Sequence, residues 1–155
     1  MEIRVDDLSD PRIADFLEEH INDMRSISPP ESKHALDLEE LKKPDITFWT
    51  AWEEGELVGC GALKKLTPSH AEIKSMRVPL ALRGRGIASK LLTYILKNAE
   101  LMGYIKLSLE TGSMPFFEPA RKLYAKFGFK YCDPFSDYKE SPYNVFMSLS
   151  IVKDV

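Results

Sequence analysis

Two arginines and two glycines fall within six residues at Arg83-Gly84-Arg85-Gly86-Ile87-Ala88, just after Val78-Pro79-Leu80-Ala81-Leu82. Such a stretch suits an anion, phosphate above all. Glycines at 84 and 86 let the backbone approach a ligand with no Cβ in between, and they reach φ values closed to other residues. If a helix starts near Ile87, its first N–H groups, those of Ile87, Ala88 and Ser89, lack intrahelical acceptors and carry the positive end of the helix dipole. Arg83 and Arg85 add full charges. A Walker A loop is excluded, because no Gly-Lys-Ser/Thr follows the first glycine. A dinucleotide fingerprint fits poorly: it needs a third glycine or alanine where Ser89 stands, after the first strand of a βαβ unit. Taken alone, the loop also reads as a solvated basic turn at a helix entry.

The flanking elements give the loop its context. Ala88, Leu91, Leu92, Ile95, Leu96, Ala99 and Met102 recur at three- and four-residue steps, which predicts a helix with one buried face ending near Gly103. Upstream, the pattern predicts a first strand over 2–6 and a helix over 11–24 that presents Ile13, Phe16, Leu17, His20, Ile21 and Met24, with Ser9 or Asp10 as its cap. A polar, proline-bearing segment over 25–34 and a short helix over 36–42 follow. Runs at 47–53 and 57–66 flank a hairpin turn at Glu53-Glu54-Gly55-Glu56, and 71–78 makes a third strand of an antiparallel meander. Beyond the central helix come a short strand over 105–110, an amphipathic helix over 115–127 and a last strand over 144–151.

Composition bounds the function. The 155 residues suit one domain, 1–155, with a single core, and no internal repeat or linker divides them. With 44% hydrophobic and 29% charged residues the chain is neither disordered nor built to span a membrane. A net charge of −3 argues against nucleic acid as a general partner. Cys60 and Cys132 form no Cys-x-x-Cys pair and no histidine cluster accompanies them, so no metal is expected and both read as reduced packing residues. The start, Met1-Glu2-Ile3-Arg4-Val5-Asp6-Asp7, lacks the basic region and apolar core of a signal peptide, which predicts a cytoplasmic protein.

Three motifs occur in order. Glu72-Ile73-Lys74-Ser75-Met76-Arg77-Val78 precedes the loop, the loop matches Gln/Arg-x-x-Gly-x-Gly/Ala, and Ala120-Arg121-Lys122-Leu123-Tyr124-Ala125-Lys126-Phe127-Gly128-Phe129 follows. Together they resemble the fourth strand, the pyrophosphate loop and the Ala-x-x-Leu-Tyr-x-x-x-Gly-Phe segment of the GNAT family of N-acetyltransferases. The resemblance covers roughly residues 50–150. It implies an α/β fold of the α+β kind, with a central mixed, largely antiparallel sheet flanked by helices, and acetyl-CoA as co-substrate. It would place the pyrophosphate on Arg83, Gly84, Arg85, Gly86, Ile87, Ala88 and Ser89, with the backbone of Met76, Arg77 and Val78 polarising the thioester carbonyl. Transfer in this family is direct, so Cys60 is not needed as a nucleophile.

Acetyl transfer to an amine needs a neutral amine, an oxyanion donor and a proton source for the departing thiolate. Tyr124 matches the tyrosine that many members place near the sulfur, although it also fits a buried helix face with Phe116, Ala120, Leu123 and Phe127. Glu72, on a strand face shared with Lys74 and Met76, is the candidate base; the alternatives are a water chain, or a plain surface ion pair with Lys74. Many relatives have an asparagine against CoA where Phe117 stands, so Phe117 either packs on the pantetheine arm or fills the core. For the acceptor, the sequence offers Arg25, His34, Glu72, Lys74, Glu110 and Thr111. A small-molecule amine is expected there, with protein amines as the alternative; the resemblance also allows a homodimer. The competing class is a non-catalytic acyl-CoA-binding or sensing domain.

Overall fold

A computed structural model describes residues 1–27 and 38–151, with residues 20–27 as backbone only. Seven strands form one sheet: β1 (Glu2–Val5), β2 (Ile46–Glu53), β3 (Glu56–Thr67), β4 (His70–Arg77), β5 (Lys106–Gly112), β6 (Lys130–Cys132) and β7 (Asn144–Ser150), in the order β1-β2-β3-β4-β5-β7-β6. Every neighbouring pair is antiparallel except β4 and β5, which run parallel. The expected mixed, largely antiparallel sheet is therefore present. β6 was not foreseen, since three residues in a half-exposed stretch carry no usable alternation.

Among the described residues four α-helices cover the sheet: α1 (Pro11–Ile27), α2 (Leu38–Leu41), α3 (Ile87–Leu101) and α4 (Glu118–Lys126). Asp10 caps α1, its Oδ1 accepting the Arg12 backbone N–H at 2.9 Å. One face of the sheet packs Phe48, Cys60 and Ala62 against Ile13, Phe16 and Leu17 of α1 and Leu41 of α2. The other packs Trp49, Leu63, Ala71, Ile73, Leu107 and Leu109 against Ile87, Leu91, Leu92, Ile95 and Ala99 of α3. Leu91, Leu92, Ile95 and Ala99 belong to the stripe read from the sequence; Ile87 was not in it, and of its other members Ala88 and Leu96 are half-buried and Met102 is exposed.

The helix expected over 115–127 is two pieces, a 3₁₀ turn at Pro115–Phe117 and then α4. Pro119 explains the break: inside one continuous helix its ring would meet the carbonyl of Pro115 and a backbone bond would be lost. Restarting at Glu118 places Pro119 in the first turn, where its missing N–H costs nothing.

Candidate active site

β4 and β5 pair only from His70↔Lys106 to Ile73↔Leu109, although β4 continues to Arg77 and β5 to Gly112. Beyond that point the strands part, while β5 stays paired with β7 through Gly112↔Asn144. A cleft of about 500 Å³ opens between them. β4 lines it with Glu72, Lys74, Met76 and Arg77, Val78 follows just after, and β5 adds Glu110 and Thr111. The α3 entry contributes Arg83, Gly84, Gly86, Ile87, Ala88 and Ser89, and the α4 region Phe117 and Tyr124. Most of the residues singled out in the sequence thus meet in one place.

Some do not. Arg85 points away, into a surface basin with Arg4, Arg12 and Trp52. His34 and the Arg25 side chain lie outside the described residues. Met76 does not share a face with Glu72 and Lys74: Ser75 sits at φ +55° and the β3–β4 register slips between Cys60↔Arg77 and Ala62↔Lys74. This bulge turns Met76 toward α3, where a Cβ on Gly61 would meet its sulfur at 2.6 Å. Arg77 turns to the opposite face, its Nη2 3.4 Å from Glu19 and its guanidinium over the Phe16 ring. The Arg77 side chain therefore reaches the α1 side of the sheet, while the residue itself stays in the cleft lining.

At the loop, Gly84 and Gly86 hold φ of +86° and +78°, and a Cβ on either would meet nothing within 4 Å. Gly86 is the N-cap of α3 and offers no side-chain acceptor. The helix's own bonding begins with Lys90 N to Gly86 O at 3.0 Å, so the N–H groups of Ile87, Ala88 and Ser89 remain for a ligand. Arg83 stands beside them, its guanidinium 5.8 Å from the centre of the Phe116 ring. Open glycines, free N–H donors, one arginine and an apolar wall of Ile87, Phe117 and Leu123 fit the pyrophosphate and pantetheine of CoA.

Tyr124 is buried within the same cleft. Burial pushes its hydroxyl well above the ordinary tyrosine range, so it keeps its proton at neutral pH. Its hydroxyl makes no hydrogen bond to another described residue. Cys60 is fully buried, its Sγ donating to the Ser75 carbonyl at 3.1 Å, and burial pushes the thiol up to about 12. A thiol held protonated there is no nucleophile.

At the other end, Glu72 and Lys74 form an ion pair of 3.0 Å whose side chains are only 4% and 7% exposed. The expected pair exists, but it is buried, not at the surface. Tyr138, from the segment between β6 and β7, donates its hydroxyl to Glu72 Oε2 at 2.6 Å and accepts from Lys74 Nζ. Burial and the Glu72 carboxylate push the Tyr138 hydroxyl far above its usual range. Glu110 accepts from Asn144 Nδ2 at 2.9 Å. Arg121 braces the cleft's far wall, donating to the carbonyls of Gly112 and Met114 at 2.7 and 2.9 Å. Tyr138, Asn144 and Arg121 were not foreseen as site residues from the sequence. The one available signal for Tyr138 was Phe135 three residues before it in a proline-bearing loop, an aromatic pair that a solvated loop has no use for.

Residues 13–129 match the model of the Acetyltransferase (GNAT) family. The chain belongs to this family. It is 55% identical over 148 residues to YsnE of Bacillus subtilis (strain 168), an uncharacterized N-acetyltransferase, covering 96% of this chain and 98% of that protein. It is 38% identical to an IAA acetyltransferase of Azospirillum brasilense, over 87% of this chain and 88% of that one. Among solved structures, an aminoglycoside 6'-N-acetyltransferase complexed with coenzyme A superposes with a TM-score of 0.74 at 19% identity, covering 100% of this chain and 99% of that one. That likeness bears on the fold, which is the GNAT acyltransferase fold. The GNAT chain described here is thus an acetyl-CoA-dependent N-acetyltransferase.

Proposed function

We propose that the acceptor is the amine of a small molecule, that Tyr124 protonates the departing thiolate and that Glu72 takes the proton from the amine. The observation that carries this reading is the placement of the buried, protonated Tyr124 in the cleft that also holds the open α3 turn and the Glu72–Lys74 pair. CoA would lie with its pyrophosphate on Arg83, Gly84, Gly86 and the N–H groups of Ile87–Ser89, its arm passing Phe117. It supplies the activated acetyl group.

The chain's own residues then divide the proton transfers. Tyr124 gives its phenolic proton to sulfur as the C–S bond breaks. Glu72 receives the proton from the amine nitrogen as the C–N bond forms. Glu72, Lys74 and Glu110 carry one net negative charge together, which draws in a cationic amine; that amine loses one proton to solvent before it attacks, and the proton Glu72 takes is the second. Small acceptors are also what the IAA acetyltransferase and the aminoglycoside acetyltransferase are named for.

The test is release of CoA thiol from acetyl-CoA in the presence of polyamines, amino acids, aminoglycosides, arylamines and peptides, with products identified by mass. Acceptor-dependent release with an acetylated small molecule supports the reading. Acetylation of peptides alone overturns the acceptor class, and binding of acetyl-CoA with no amine-dependent release favours a sensing domain.

A further inference from the structure

We propose that Tyr138 is a positioning residue for the reaction, holding one oxygen of Glu72 so that the other is presented to the incoming amine. This rests on the reading of Glu72 as proton acceptor given above.

Two donors converge on the same atom. Glu72 Oε2 accepts from the Tyr138 hydroxyl at 2.6 Å and from Lys74 Nζ at 3.0 Å, while no described residue donates to Oε1. A glutamate carboxylate rotates readily about its last torsion, which has a broad profile. Donors fixed on one oxygen remove that freedom and leave the other oxygen as the free acceptor. Lys74 shares a strand with Glu72, whereas Tyr138 comes from 66 residues away and ties the carboxylate to a different part of the fold.

Tyr138 is itself held in place. Its ring meets Phe135 edge-on at 5.3 Å and Phe146 of β7 at 5.8 Å, and Phe135 packs on Phe146 and on His70 of β4. The segment is anchored to the end of β5 by Ser113, whose N–H donates to the Tyr143 carbonyl at 3.0 Å and whose hydroxyl donates to that of Pro142 at 2.6 Å. The aromatic packing does not need the hydroxyl. Its one outgoing hydrogen bond goes to Glu72, so ring and hydroxyl separate by substitution.

Tyr138→Phe keeps the ring and deletes both that bond and the one the hydroxyl accepts from Lys74 Nζ, leaving Lys74 its ion pair with Glu72. With the amine that gives the fastest thiol release, kcat should fall roughly 10-fold, the scale of a hydrogen bond to a charged group. The acceptor KM, the acetyl-CoA dissociation constant and the melting temperature should change little. In a Glu72→Gln background the same substitution should cost nothing further. An acceptor-free readout is the infrared carboxylate band of Glu72, isolated by difference against Glu72→Gln; it should shift in Tyr138→Phe. An unchanged kcat, an equal loss in the Glu72→Gln background or an unmoved band overturns the proposal. Full activity in Glu72→Gln overturns the reading of Glu72, and this proposal with it. Failure of every amine would count against the proposed function, while the band would still decide the Tyr138 contact.

Discussion

The Phe129 backbone N–H donates to the Tyr124 carbonyl at 3.0 Å while its ring meets the Tyr124 ring edge-on at 5.5 Å. With Gly128 N bonded to Ala125 O at 3.0 Å and Gly128 at φ +97°, this closes α4 as a Schellman cap whose usual apolar contact is the Tyr124–Phe129 pair. The cap therefore fixes the candidate acid. Tyr124→Phe retains both contacts and should leave the melting temperature and acetyl-CoA affinity unchanged while lowering kcat by ~10²-fold or more, the usual scale of a general acid. Gly128→Ala should do the reverse in kind. Its Cβ would enter a left-handed position and meet Leu149 Cδ1 at 3.3 Å, so urea denaturation should show a loss of about 1 kcal/mol or more. Equal kcat in wild type and Tyr124→Phe would remove Tyr124 from the mechanism.

The open cradle at the α3 entry makes Gly86→Glu informative. Nothing lies within 4 Å of a Cβ there, so the fold should tolerate the side chain apart from a strain of about 1–2 kcal/mol at positive φ. A carboxylate beside the pyrophosphate position should raise the acetyl-CoA dissociation constant by roughly 10²-fold or more. Calorimetric titration of acetyl-CoA measures it; unaltered affinity would place the phosphates elsewhere.

Phe117 fills the space over Gly112, whose added Cβ would overlap its ring. Gly112→Ala should push the ring out of place, costing about 1–3 kcal/mol of stability and raising the acetyl-CoA KM. Adding Phe117→Ala should restore stability relative to the single variant. Recovery of stability without recovery of KM would assign Phe117 to the CoA arm rather than to core filling alone.

What the sequence made legible here is local physics. The loop glycines and most of the α3 stripe declare themselves within a few residues, whereas the cap at Phe127-Gly128-Phe129 was not read. The break before α4 was written in Pro119, yet the apolar spacing of 115–127 masked it. The bulge at Ser75 was not legible, because it is a register slip set by the partner strand β3, and an unbroken alternation put Met76 on the wrong face. Tyr138 was hidden for a different reason. Its place beside Glu72 depends on how the segment after β6 folds back over β5 and β7, and neither periodicity nor motif reports such a contact.

Cys60 and Cys132 should separate chemically. Alkylation needs the thiolate, and Cys60, with a thiol pushed up to about 12 by burial, stays protonated at pH 8. Cys132 is only partly buried. Iodoacetamide at pH 8 should add one equivalent, at Cys132 by peptide mass, with thiol release from acetyl-CoA retained. Modification of Cys60 in the folded protein, with loss of activity, would reopen an acyl-enzyme route.

The Glu72–Lys74 pair should reveal itself most clearly by its imbalance. Both side chains are more than nine-tenths buried, so each desolvated charge depends on the other, with Tyr138 as the one further donor to Glu72 among the described residues. Lys74→Met leaves a buried carboxylate without its cation and should cost about 3–5 kcal/mol at pH 7, read as a lower urea midpoint. The double variant Glu72→Gln/Lys74→Met removes both charges and should regain most of that stability, because a buried pair adds little over a neutral replacement of similar volume. It should not regain activity, since the proposed proton acceptor is gone. A double variant as unstable as Lys74→Met alone would show that Lys74 holds the fold through its stem or its bond to Tyr138 rather than by neutralising Glu72.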